Sequence, residues 1–217
     1  MFYKSNQEII KKIIANHLVK LVFIMFLLLF FSCKDNTQIT VEPTNKSSKK
    51  YDKKVPINFD KYKIGKGNLG PIKIGMSISE AEKELVNLTK MECDAFAFGY
   101  DGGSKSYLYY WEDQHVLALI TKADSEEILV IIAVAKNIKT TNGLTPNATV
   151  KEIQAKYPNI EVNLDLMMDW EYMHDEKNNW DFIFTTEENN RIGKYDIAEV
   201  PSKPINTEAI MSWITIK

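Results

Sequence analysis

Hydrophobic residues are most concentrated near the start of the chain, in an unbroken apolar run over residues 21–31. Four lysines and one acid precede this run, and the chain turns polar directly after Ser32 and Cys33. A basic start, an apolar stretch of about 7–15 residues and a small residue before the cleavage point are typical of a secretory signal. The run is too short to span a bilayer, which takes about 20 residues. We predict that residues 1–32 are an export signal rather than an uncleaved anchor or a buried helix.

The next stretch has a different pattern, because residues 33–56 are rich in Thr, Asn, Ser, Lys and Pro and contain few apolar positions. Such a segment cannot bury enough surface to fold by itself. We predict that it is a flexible tether. Ordered structure is expected to begin near Ile57 or Phe59.

Two capped helices are predicted within the remaining residues. Ser77 with Glu80, and Thr149 with Glu152, have the spacing of a capping box, in which hydroxyl and carboxylate satisfy the free amides of the first turn. Pro158 would end the second helix. Apolar residues follow each box at helical spacing: Ile78, Ala81, Leu85 and Leu88 after the first, and Val150, Ile153 and Tyr157 after the second.

Alternating or continuous apolar residues after each helix predict short strands. After the first helix these strands are Phe96–Tyr100, Tyr107–Trp111, Val116–Ile120 and Ile128–Ala135, and after the second they are Trp170–Met173, Trp180–Phe184 and Ile210–Ile216. The residues 101–103, Asp-Gly-Gly, suit a hairpin turn. Because the boxes and strands recur in the same order, we predict two tandem units, residues 57–138 and 139–217. The predicted class is α+β, an antiparallel sheet with helices on one face.

The turn before the first helix carries a resemblance to a known family. Ile72, Ile74, Gly75, Met76 and Ser77 resemble the motif of the β-lactamase-inhibitor-protein-like fold, and residues 144–149 match it more loosely. The family includes a tandem inhibitor and the small lipoprotein of the outer-membrane β-barrel assembly machine. The resemblance implies helices packed on one face of an antiparallel sheet. The inhibitor's disulfides are absent, and the Gly-x-Pro that often follows the helix of the assembly lipoprotein is missing after Leu88. Neither enzyme inhibition nor barrel assembly is therefore carried over as a function.

The end of the export signal carries a second resemblance. The sequence Leu-Phe-Phe-Ser-Cys at residues 29–33 is similar to the lipobox of bacterial lipoproteins, although Phe30 and Phe31 are bulkier than usual. The resemblance implies cleavage before Cys33 and acylation of that cysteine, and two or more acyl chains anchor a protein stably. We therefore expect a lipid-anchored protein of the bacterial cell envelope, at the outer membrane, with the lipid bilayer as one partner.

The distribution of charged residues along the chain limits which other classes of partner it could bind. Residues 34–66 hold nine lysines against four acids, whereas residues 67–217 hold fourteen Lys and Arg against 24 Asp and Glu. An acidic folded part argues against nucleic acid, whose binding proteins present basic surfaces. The basic stretch could contact anionic lipid headgroups or act as a solvated spacer.

Candidate chemistry is sparse. Once Cys33 is acylated, Cys93 has no partner for a disulfide, and we expect a buried structural thiol. His115 and His174 lie beside acids but lack metal-ligand spacing, and we expect solvated turns there. Six acids in residues 161–176 match no calcium loop and suggest a charged rim. We predict that the protein is not an enzyme, and that it has no catalytic residues, no cofactor and no metal.

Aromatic residues supply the one candidate binding face. If helices cover one side of the sheet, alternate strand residues point to the other side. We therefore single out Tyr100, Tyr107, Tyr109, Trp111, Trp170 and Tyr172. The alternative is that the aromatics form the core, as Phe96, Phe98, Trp180, Phe182 and Phe184 suggest. The expected function is a non-catalytic protein-binding module of the assembly, inhibitor or immunity type. The alternative is a lipoprotein that binds glycan, peptidoglycan or a small solute.

Overall fold

The computed structural model describes residues 56–217. The export signal, Cys33 and the predicted tether, apart from Pro56, lie outside the described residues. Within the described part, no helix is both long enough and apolar enough to cross a membrane.

The described chain is mainly β, so the predicted α+β class with helices on one face is wrong. Its strands form two antiparallel sheets, and its α-helices are short: α1 is Ile78–Glu82 and α2 is Val150–Lys156. Both predicted capping boxes are present, but neither helix continues far beyond its first turn. The Tyr62 hydroxyl donates to the carbonyl of Glu84 at 2.9 Å, just after α1 ends. Local signals thus start both helices without extending them.

The small sheet precedes α1, and the large sheet holds all later strands. The small sheet has the order β1-β2-β3, with β1 at Ile64–Gly65, β2 at Asn68–Leu69 and β3 at Ile72–Lys73. The first four strands of the large sheet are β4 (Thr89–Asp94), β5 (Lys105–Trp111), β6 (Gln114–Thr121) and β7 (Ile128–Ala133). The last four are β8 (Asn163–Asp165), β9 (Trp170–Asp175), β10 (Trp180–Phe184) and β11 (Trp213–Ile216). Three short 3-10 segments, Phe59–Tyr62, Ala95–Phe98 and Glu188–Asn190, complete the described elements.

The order of the large sheet is β4-β5-β6-β7-β11-β10-β9-β8, and every neighbouring pair is antiparallel. Strands β7 and β11 meet at the centre, where Ala133 lies opposite Ile214. Strands β4 and β8 are therefore the two edges. Residues 57–138 and 139–217 thus contribute to one continuous sheet, and the boundary between them stays a prediction.

The two helix starts dock on the sheet in the same way. Ser77, the cap of α1, forms an isolated antiparallel bridge with Glu127, the residue directly before β7. Thr149, the cap of α2, forms an antiparallel bridge with Ile210, shortly before β11. Each helix therefore begins next to the start of one of the two central strands.

The main core lies on one face of the large sheet, which we call the first face, and it includes apolar residues of the small sheet and of the two short helices. Trp180, Phe182 and Phe184 alternate along β10, and all three side chains are fully buried there. The Trp180 ring nitrogen donates to the carbonyl of Gly65 at 3.0 Å, which ties the small sheet to β10. Burial of these rings supplies much of the hydrophobic stabilisation of the fold.

The opposite side, which we call the second face, carries its own apolar cluster of Leu108, Ala118, Ile120, Val130 and Ile132, together with Ala95. Residues 95–104, the β4–β5 connection, cover part of it. The predicted strand Phe96–Tyr100 is wrong, because Ala95–Phe98 is a 3-10 segment that begins where the Asp94 side chain accepts from the Phe96 amide at 2.9 Å. The Phe98 ring then meets Trp213 of β11 edge to face, with centroids 5.6 Å apart. Both faces of the sheet are thus partly covered.

Candidate functional site

A cavity of about 250 Å³ opens on the second face, between the β4–β5 connection and strands β8 to β11. Its lining combines aromatic, apolar and charged residues: Phe98, Gly99, Tyr100, Asp165, Trp170, Tyr172, Asp181, Ile183, Thr215 and Lys217. Strand alternation explains where the cavity lies. The odd-numbered residues of β10 and β11 point to the second face, away from the main core on the first face.

The aromatic walls of the cavity are held in place by packing. Trp170 meets Trp213 edge to face, with ring centroids 5.2 Å apart. Gly99 lets the β4–β5 connection approach this wall, since a Cβ at that position would lie 2.9 Å from the Trp170 ring. Gly99 also has a φ of 79°, a conformation that side chains disfavour. The close contact between connection and wall therefore depends on glycine.

A charged network forms the polar side of the cavity. The buried carboxylate of Asp181 pairs with His174 Nδ1 at 2.6 Å and with the Lys217 ammonium. Burial, and secondarily the charge of Asp181, raises the pKa of Tyr100 above its usual range. Like an ordinary tyrosine, Tyr100 is protonated at neutral pH, and its phenol can donate a hydrogen bond.

Apolar side chains flank the cavity at the β8–β9 turn. Asp165, which lines the cavity, accepts from the backbone amides of Met167 at 2.9 Å and Met168 at 3.0 Å, and so holds the turn. Leu166 and Met167 are each 57% exposed at this turn. The rim thus offers solvent-facing apolar surface next to the charged and aromatic lining.

The arrangement can hold a ligand by both packing and polar contacts. Ring faces and edges offer packing surface, and carboxylate, ammonium and phenol groups offer directed polar contacts. Sites for whole small molecules span about 300–1,000 Å³, so this cavity is sized for part of a ligand. Among the described residues, no Ser or Cys hydrogen-bonds to a histidine, and no group of three His, Cys, Asp or Glu side chains could hold a metal ion.

Of the six residues predicted for the candidate binding face, three line the cavity and three do not. Tyr100, Trp170 and Tyr172 line the cavity. Tyr107 and Tyr109 were wrongly placed, because both are buried in the core on the first face, where the Tyr109 hydroxyl donates to Glu82 at 3.2 Å. Trp111 is partly buried and packs against the same core.

Several cavity residues were missed by the sequence analysis. Asp181 and Ile183 alternate with the buried aromatics of β10, so strand periodicity already places them on the opposite face. The same periodicity applied to β11 places Thr215 and the following Lys217 there. No pattern in the sequence places Phe98 and Gly99 at the cavity, because their position depends on how the β4–β5 connection crosses the sheet.

Other candidate groups also lie elsewhere than predicted. Cys93 is free but only partly buried, on edge strand β4. His115 and His174 are in strands rather than turns, and His115 packs edge to face on Tyr110 with ring centroids 4.4 Å apart. Within the predicted charged rim, Glu171 is fully buried, because the alternation of β9 points it at the first face.

Comparisons with known proteins add little to this geometry. No protein-family model matches the chain, and no curated protein matches its sequence significantly. The chain is similar in structure to the uncharacterized protein YfeY from Escherichia coli, at 10% sequence identity and a TM-score of 0.49. The similarity covers 71% of this chain and 99% of that one. Likeness at this level carries no information on what the chain binds.

Proposed function

We propose that the mature protein is a lipid-anchored, non-catalytic protein-binding module of the bacterial cell envelope, and that its cavity receives a side chain of the partner. The observation that carries the proposal is the convergence of Tyr100, Trp170 and Tyr172 on one cavity of about 250 Å³. Aromatic residues are enriched in protein interfaces and often dominate their binding energy. The apolar rim at Leu166 and Met167 would extend the contact beyond the cavity.

The size of the cavity favours a partner side chain over an enclosed solute. The lining could contact a lysine or arginine side chain of the partner, because aromatic rings attract cations and carboxylates accept hydrogen bonds from ammonium and guanidinium groups. It could also contact an aromatic side chain through ring packing. Asp181 is shared between His174 and Lys217, so an incoming group would join a network that is already neutralised in part.

Glycan binding is the second candidate. Its support is the position of Asp165 and Asp181 beside aromatic rings, because carboxylates can accept hydrogen bonds from sugar hydroxyls. Because the cavity is small, it could hold only part of such a glycan. Fluorescence of Trp170 would report this binding in titrations with soluble peptidoglycan fragments.

The cavity proposal is tested by comparing two tryptophan substitutions in crosslinked membranes. Trp170→Ala removes a cavity wall, whereas Trp111→Ala removes a ring that packs against the core outside the cavity. Hot-spot truncation costs about 2 kcal/mol or more, so Trp170→Ala should reduce recovery of the specific partner at least about tenfold. Thermal melts of both variants control for loss of fold. Equal recovery from wild type and Trp170→Ala would reject the cavity as the docking point.

The membrane anchor is a separate part of the proposal and concerns Cys33, outside the described residues. Cys33→Ala removes the only sulfur that the lipobox offers for acylation. We expect the variant to leave the membrane fraction and to lack the mass of the acyl chains. Fractionation and intact-mass measurement check this outcome. A Cys33→Ala protein that stays membrane-bound contradicts the lipid anchor.

A further inference from the structure

The two edges of the large sheet differ in how they are covered. At the β8 edge, the neighbouring residue Val162 exchanges two backbone hydrogen bonds with Ser202, each 2.9 Å long. At the β4 edge, among the described residues, the ladder to β5 is the only backbone pairing. An uncovered edge strand presents free N–H and C=O groups that can pair with another strand.

The side chains of β4 are mostly exposed along its six residues. Lys90 and Glu92 lie on the first face, since their partners in β5 are Tyr109 and Tyr107. Met91 lies between them on the second face and is 50% exposed. Glu92 forms no ion pair within the described part of the chain, so its charge is free to meet a partner.

We propose that β4 pairs antiparallel with β4 of a second copy of this chain, about a two-fold axis at Met91. In this register Lys90 of each copy lies opposite Glu92 of the other, and the two Met91 side chains meet. Opposite charges in directly facing positions stabilise a strand pair. The contact is isologous, as two-fold dimers require, and it joins the two sheets into one.

The charge pattern of β4 selects this occupant and this register. Shifting the pairing by two residues in one direction sets Lys90 against Lys90, and shifting it in the other direction sets Glu92 against Glu92. Like charges in facing positions destabilise a strand pair. Of these three registers, each of which keeps every residue on its own face, the one centred on Met91 avoids both conflicts.

Disulfide trapping in membranes tests the pairing with the full chain. Met91→Cys, in a Cys93→Ser background, places two cysteines opposite each other, within the Cα separation of about 4.4–6.8 Å that disulfides require. We expect a disulfide-linked dimer on non-reducing gels after mild oxidation. Cys93→Ser alone gives the baseline, and Ile210→Cys in the same background is the control at a position that is 60% exposed and away from β4.

A charge exchange then tests the register. Glu92→Lys breaks no ion pair among the described residues but sets Lys90 opposite a second lysine, so trapping through Met91→Cys should fall about fivefold. Adding Lys90→Glu should restore it, because the exchanged charges are again opposite. Lys90 also pairs with Glu82 at 2.6 Å and lies 3.9 Å from the Tyr107 ring centroid, so thermal melts must show that the double variant is folded.

Three outcomes would overturn the inference. Trapping at Met91→Cys no stronger than at Ile210→Cys would show that the β4 edges do not meet. Trapping that is unchanged by Glu92→Lys would reject the register. A Met91→Cys adduct with a different protein, in place of the dimer, would assign the edge to a partner strand rather than to a second copy.

Discussion

At the residue scale, the carboxylate of Glu171 explains how the long β10–β11 connection is held against the sheet. Its side chain is fully buried on the first face and accepts four hydrogen bonds of 2.7–2.8 Å, from the Thr186 hydroxyl, the Ile192 and Gly193 amides and the Tyr195 hydroxyl. Burial, followed by the bond to Glu171, raises the pKa of Tyr195 above its usual range, so the phenol stays a donor. A buried charge of this kind is tolerated because its lone pairs are satisfied.

Glu171→Gln keeps the shape of this side chain but replaces one acceptor oxygen with an amide donor that faces other donors. Each buried donor left without a partner costs about 1–3 kcal/mol, so we expect the free energy of unfolding to fall by at least that amount. Denaturant melts measure the change. Glu188→Gln is the matched control, since that residue is exposed in the same connection and should change stability by less than about 0.5 kcal/mol. Equal effects at the two positions would contradict the role of Glu171.

At this scale the sequence analysis identified three of the four aromatic residues that line the cavity, Tyr100, Trp170 and Tyr172, and missed Phe98. Trp170 and Tyr172 were predicted because they alternate in one strand, and they line the cavity. Tyr107 and Tyr109 alternate equally well, yet they point at the core. Alternation shows which residues share a face of a strand but not which face is covered, and so it could not separate the two pairs.

At the scale of elements, local hydrogen bonding was predictable. Both helices begin with the expected capping boxes, and hydrogen bonding to the backbone and hydroxyl of Ser77 lowers the pKa of Glu80, as Thr149 does for Glu152. A box is encoded within four residues, so the sequence alone reveals it. Helix length is different, because short helices draw most of their stability from tertiary packing.

The strands show the same division. The strongly apolar β6 and β7 match their predicted ranges closely, because buried strands read as apolar runs. Strand β4 was missed, since its residues are mostly exposed and carry no apolar alternation. Its existence depends on pairing with β5, a contact that local sequence does not encode. The two-residue strands of the small sheet are too short to leave any pattern.

At the scale of the whole molecule, the cavity exists because distant parts of the chain meet on the second face. The β4–β5 connection starts at one edge of the sheet and reaches Trp213 and Trp170 in the other half. Strand order and this crossing are long-range properties, so neither could be predicted from spacing. The predicted helical layer gave way to a sheet with two apolar clusters, one on each face.

Site-specific photocrosslinking in intact cells tests the central claim, that the cavity is the docking point for an envelope protein. A photoreactive phenylalanine at Tyr172 places the reactive group in the cavity lining, and the same residue at Val86, which is 76% exposed, serves as the control. We predict one discrete protein adduct from position 172 that is absent at position 86 and lost when Trp170→Ala is added. Adducts that are equal at both positions, or unaffected by Trp170→Ala, would contradict the claim.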